Sequence, residues 1–276
     1  MKATASALKT RASSAGALLR QWRDIRGKTQ LDLSFDAGVS QKHISFVESG
    51  RSVPSRQMLL DLAQALDVPL RERNELLLAA GYAPSYSDPA IEAPAMTSIN
   101  RALQRMLRQH EPFPAIVMDR YWNVLMTNEA APLLFNCFID MSARPAPRNL
   151  LHLMFDPDGM RPFIANWPQT ARGLLARVYR EAVGHVVDIR TKALLEDLSQ
   201  YAGVKPEWRA PSASDAMPMI PLSFVKGGVT LDYFSLITTV GTPQTVTAEE
   251  LRLECMFPAN DATEAAHGRF LRAHTG

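Results

Sequence analysis

The spacing of apolar residues changes character along the chain. From Gly16 to Ala80 it is helical throughout. Leu18, Leu19, Trp22 and Ile25 recur at helical intervals, and Gly27-Lys28 ends that run. Thr29, with Asp32 three residues on, has the form of a capping box. It opens a second short helix with Leu31, Leu33 and Ala37 facing inward, and Gly38 stops it. Ser40 is the next N-cap, Ile44 and Val47 are the inward residues of a third helix, and Gly50 ends it. Pro54-Ser55 starts a fourth helix with Leu59, Leu62, Ala63 and Leu66 on one face, and Pro69 starts a fifth that runs through Leu76 to Ala80. The pattern predicts a compact all-α domain of five helices over residues 16–82. Residues 1–15, rich in small residues, read as a disordered arm.

The period then breaks. YAPSYSDPAIEAP holds three prolines among Ser and Asp and reads as a linker over 83–96. A second domain is expected over 97–276. A helix over Thr97–Gln109 leads into two strands, Pro114–Asp119 and Trp122–Thr127, around a turn at Arg120-Tyr121. Asn128 caps a helix through Phe135, and helices follow at Asn149–Phe155, Pro168–Val183 and from Ile189 to Tyr201. LSFVKGG, VTLDYFSLITTV and LRLECMF return to strands, and Ala262–His274 is a last helix. Strands first, helices between and strands last predict an α+β sheet whose final strands rejoin its first ones.

Composition fits a globular protein, with 46% hydrophobic and 21% charged residues. The net charge of +2 hides an asymmetry. Residues 1–82 hold 12 Lys/Arg against 8 Asp/Glu, and residues 83–276 hold 18 against 20. A basic front on a slightly acidic rear suits a nucleic-acid module joined to something else. The two cysteines, Cys137 and Cys255, sit in apolar surroundings and read as buried free thiols, which favours a reducing cytoplasm. No apolar run reaches bilayer length, so no membrane role is expected.

The front domain carries the clearest chemistry. A helix, Gly38 and a second helix have the spacing of a helix-turn-helix, with glycine where the turn needs a left-handed residue. With Val39, Ile44 and Val47 anchored inward, Ser40, Gln41, Lys42, Ser45 and Phe46 remain on the outer face. Gln pairs with adenine, Lys reaches guanine acceptors, Ser adapts, and an exposed aromatic meets a thymine methyl. Gln30 opens the preceding helix, where side chain and helix terminus both suit a phosphate. Arg51, after Gly50, and Arg56 are further phosphate candidates, and Ser49 is a further DNA-contact candidate. The plain alternative is one amphipathic helix among five.

TQLDLSFDAGVSQKHISFVESGRSVPS, followed by LLDLAQALDV, resembles the XRE family of helix-turn-helix regulators, the phage lambda repressor type. The resemblance covers residues 16–82. It implies base contacts from Gln41 and Lys42, a phosphate contact from Gln30, and an ion pair between Arg23 of the first helix and Glu48 ending the recognition helix. Ser34 stands where the family usually has Ala, and Phe46 where a polar residue is common.

PAIVMDRYWNVLMTNEAAPLLF, RNLLHLMF and NWPQTARGLLARVYREA resemble the ligand-binding domain of MmyB-like regulators. The pattern rests on Asp119, Trp122, Asn128, Ala131, Arg148-Asn149 and Trp167. It implies a PAS-like α+β fold that holds a fatty acid or similar apolar molecule. Asn128, Arg148, Asn149 and His152 are the ligand-binding candidates. The last three cluster at an expected helix start, where dipole and Arg would favour a carboxylate. Arg148 as a solvated charge is the alternative. Met118, Met126, Met154 and Met160 supply adaptable apolar surface or plain core.

No two histidines have zinc-ligand spacing, and HExxH, P-loop and GxSxG motifs are absent. No metal, cofactor or catalytic residue is expected. The expected protein is a cytoplasmic one-component regulator that binds a duplex operator, senses a small effector, acts as a homodimer and represses. The rival is a DNA-binding protein whose rear domain only dimerises or docks a protein partner.

Overall fold

The computed structural model describes residues 15–144, 146, 148–183, 189–209 and 222–274. The described chain forms two compact units, divided near Asp88 and Pro89.

In the front unit, residues 15–25 form α1. It is followed by α2 (Gln30–Ala37), α3 (Gln41–Glu48), α4 (Arg56–Ala65) and α5 (Leu70–Ala79). The caps follow from the residue types. Thr29 and Asp32 make the reciprocal capping box, and Ser40 and Ser55 accept the third backbone N–H of α3 and α4. Leu19, Trp22, Leu33, Ile44, Val47, Leu62, Leu66 and Leu76 meet in one core. Two expectations shift. Leu31, expected inward, is 47% exposed and shares its face with Phe35, so only Leu33 anchors the middle of α2. Ala15, expected in the arm, is buried in α1, and the rest of that expected arm lies outside the described residues.

The linker expected over 83–96 begins as a strap on α5. Asn74 Oδ1 accepts the N–H groups of Ser85 and Tyr86 at 2.9 and 3.1 Å, and its Nδ2 donates to Tyr86 O at 2.7 Å. The front unit also takes in Pro243–Glu249, which the apolar pattern had not separated from the rear domain. Pro69 gives α5 no side-chain cap, and Glu249 Oε2 accepts Leu70 N–H at 2.7 Å in its place.

The rear unit holds α6 (Thr97–Gln109), β1 (Ala115–Met118), β2 (Val124–Thr127), α7 (Ala130–Asn136), α8 (Leu150–Phe155), α9 (Trp167–Val183, as far as Arg180) and α10 (Ile189–Gln200). β3 (Leu222–Lys226), β4 (Val229–Thr238), α11 (Val246–Glu250), β5 (Arg252–Pro258) and α12 (Asp261–His274) complete the chain. The five strands run β2-β1-β5-β4-β3, antiparallel throughout. β5 lies between β1 and β4, so the last strand does rejoin the first, as the order of the segments predicts.

Trp122 departs from its expected place in a strand. It sits in the turn at φ 68 and is buried. Asp119 builds that turn: its Oδ1 accepts Tyr121 N–H at 2.8 Å and Asn123 N–H at 2.9 Å. Trp122 is thereby driven inward under the Arg177 guanidinium, 4.1 Å from the ring centroid.

Candidate functional site

The helix-turn-helix is built from α2, Gly38 and α3. Gly38 adopts φ 63 and ψ 28, a left-handed turn that a β-carbon would strain. Ile44 and Val47 are fully buried, which fixes the rotation of α3. Ser40, Gln41, Lys42, His43 and Phe46 are consequently exposed, with Ser45 half-buried beside them. Phe46 does not pack inward. Lys42 Nζ lies 5.7 Å and the Arg51 guanidinium 6.0 Å from its ring centroid, so the outer face of α3 presents an aromatic ring between two cations. Ser49 and Arg51 extend the exposed edge, and Ser49 Oγ donates to Phe46 O at 3.2 Å.

The far end of α3 is held from behind. Arg23 Nε donates to Glu48 Oε1 at 2.7 Å and Arg23 Nη2 to Glu48 Oε2 at 3.0 Å. The Glu48 side chain is 3% exposed. The hydrogen bond to Glu48 raises the Arg23 pKa further. Gln30 joins the pair: its Nε2 donates to Glu48 Oε2 at 2.9 Å. Motif reading placed Gln30 facing a phosphate and did not connect it to Glu48. The signal was available only in three dimensions, since 18 positions separate the two. Gly16 lets α1 cross close to this end, because a β-carbon there would stand 2.2 Å from Val47 O.

The four residues expected to hold a ligand are engaged otherwise. Asn128 is buried. Its Oδ1 accepts Ala115 N–H at 3.0 Å and Ala131 N–H at 3.1 Å, and its Nδ2 donates to Phe113 O at 2.7 Å. It clamps β1 to α7. Asn149 Oδ1 caps α8 through Leu151 and His152 N–H, and its Nδ2 donates to Tyr121 O at 2.7 Å. The helix start expected to receive a carboxylate is therefore capped by its own residue. Arg148 is exposed and donates to Met141 O at 2.9 Å. His152 Nδ1 is engaged with Tyr201 Oη at 3.0 Å. Asp119, Asn128 and Asn149 of the quoted pattern thus hold turns, strand and helix start of this unit together.

Cys137 and Cys255 are both free, Cys137 buried and Cys255 partly so, and burial pushes both thiols up. Among the described residues no group of His, Cys, Asp and Glu is placed to hold a metal ion. Among them, too, no helix is long and apolar enough to cross a membrane.

The model of the MmyB-like transcription regulator ligand binding domain matches residues 99–269. The chain belongs to this family of MmyB-like transcription regulators. A helix-turn-helix family model matches residues 19–73, which span α2, Gly38 and α3. This MmyB-like regulator therefore joins an XRE-type DNA-binding domain to a PAS-like ligand-binding domain, and neither is an enzyme domain. No curated protein matches the chain.

Proposed function

We propose that this regulator is a cytoplasmic, homodimeric repressor that releases or grips its operator according to an apolar carboxylic acid, of fatty-acid type, held in the rear unit. The observation that carries the DNA half is the exposed face of α3 over a buried, ion-paired base. Gln41 and Lys42 stand at its N-terminal end, where a recognition helix meets base edges. Ser40, Ser45 and Phe46 complete that face. Gln30, Ser49 and Arg51 flank it as phosphate contacts, and their role is to fix register.

A single α3 offers few base contacts. Specificity then calls for two copies on half-sites about one helical turn apart, so we take the working form as a dimer. Occupying a promoter site excludes polymerase, which makes repression the natural outcome. An effector that favours one dimer geometry over another couples to DNA affinity by about 1–3 kcal/mol.

Mass spectrometry of the purified protein tests the effector half. Native spectra and an organic extract after denaturation are compared. A co-purifying organic acid supports the reading. Extracts from several hosts that hold no such molecule, with native masses at the bare chain weight, favour a rear unit that only dimerises or docks a protein.

A further inference from the structure

Three aromatic rings run together in the rear unit. Phe155 meets Trp167 edge-on at 5.0 Å and lies 6.2 Å from Tyr201, between centroids. The Tyr201 hydroxyl already has a partner in His152 Nδ1, at 3.0 Å. Trp167 differs. Its indole Nε1 is buried and has no hydrogen-bond partner among the described residues. An indole nitrogen is a donor only, and a buried donor left unmade costs its full desolvation.

Arg161 lies over the same indole, its guanidinium carbon 5.1 Å from the ring centroid. The guanidinium also lies against the turn at Gly203, where a β-carbon would stand 2.9 Å from Nη2. The carboxylate of Asp156 is taken by Arg144 at 2.7 Å. Among the described residues no carboxylate pairs with Arg161. Among the described residues a buried donor and a cation without a carboxylate partner therefore share one ring.

We infer that Trp167 Nε1–H and the Arg161 guanidinium form the seat for the carboxylate of an organic acid, with Phe155 beside its apolar part. The inference rests on the effector reading above and names the residues that would recognise the effector's head group. A carboxylate is acceptor-only and has two oxygens, so it answers the indole and the guanidinium together. A water or an alcohol would answer the indole and leave the cation unpaired. Neither residue is among the four ligand candidates of the sequence, although Trp167 belongs to the pattern quoted for the family.

The test uses full-length protein stripped of co-purifying lipid and labelled with nitrogen-15 at its four tryptophans. Sodium decanoate and 1-decanol are titrated separately, and Trp167→Phe assigns the indole signal. The Trp167 indole proton is expected to move downfield, saturably, with decanoate and not with decanol. Arg161→Gln should weaken decanoate by about tenfold, and Arg161→Lys by less, because an ammonium keeps the charge without the fork. If Trp167→Phe fails to fold, Arg161→Gln, on a half-buried side chain, assigns the signal through its shift and carries the test. Saturable shifts elsewhere in the rear unit with Trp167 unmoved would overturn this seat and leave the effector reading standing. An equal response to decanol would overturn the carboxylate. No shift with either probe would count against the seat and the effector reading alike.

Discussion

Glu48, at the end of the recognition helix, accepts two hydrogen bonds from Arg23 of α1 while Gln30 of α2 donates a third to the same carboxylate. Three helices of the DNA-binding unit thus meet on one nearly buried side chain. Such a pair fixes geometry more than it adds stability. Glu48→Ala removes the buried carboxylate and leaves Arg23 to the exposed Asp24 carboxylate at 3.0 Å, and should cost about 3 kcal/mol in urea unfolding. The double variant Arg23→Met with Glu48→Met should cost less than either single change. A double variant that loses the full sum of the two would show instead that the pair is a net stabiliser.

The DNA face separates base readers from phosphate holders. Gln41→Ala should relax preference at one base pair, by about 1–3 kcal/mol, and leave other positions as they were. Gln30→Ala should weaken binding about evenly across sequences. Selection from randomised duplexes, followed by affinity measurements on single-base variants, checks both. An even loss for Gln41→Ala would remove it from the base-reading set.

Asn128 makes a stability prediction in the rear unit. Replacing it by Ala strands two buried N–H groups and one carbonyl, at Ala115, Ala131 and Phe113. A loss of about 3 kcal/mol or more is expected, from about 1–3 kcal/mol for each stranded group. Its effect on ligand affinity should follow unfolding and nothing else, which differential scanning calorimetry with and without ligand would show.

His267 predicts a pH dependence. It is buried, with Nδ1 at 2.6 Å from Tyr233 Oη and Nε2 at 2.8 Å from Pro112 O. A carbonyl only accepts, so Nε2 carries the proton and Tyr233 donates to Nδ1. Burial pushes His267 below its ordinary value of 6.5, against the pull of the Pro112 carbonyl and the Glu111 carboxylate. Just below pH 6.5 the unfolded chain therefore binds more protons than the folded one. Stability is full above that pH and declines as pH falls through the window down to the folded value. Urea midpoints from about pH 8 to about pH 5 should show this fall, and His267→Gln should flatten it. An unchanged slope in the variant would place the titration elsewhere.

The sequence made the front unit legible because its signals are local. Gly38, Ser40 and the Thr29–Asp32 box act within a few residues of where they stand, and the core of α3 follows from spacing alone. Leu31 misled for the same reason: its spacing suits an inward face, and only the packing of α2 turns it out. In the rear unit the return of the last strands to the first was readable, yet Trp122 was not. Its place depends on Asp119 folding a turn whose side-chain bonds a hydrophobic pattern does not display. Asn128 and Asn149 look like ligand chemistry until their partners are known, and those partners are backbone groups together with the Asn123 side chain. The cap that Glu249 places on Leu70 spans 179 positions and leaves no local trace.

The central claim is that an effector bound in the rear unit changes how the front unit holds DNA. The most direct measurement is the dissociation constant of lipid-stripped, full-length protein for a selected duplex, with and without saturating decanoate, at fixed salt. The account predicts a change of about 5- to 150-fold, and the same factor in decanoate affinity when duplex is present. Equal duplex affinity with and without bound decanoate would contradict it.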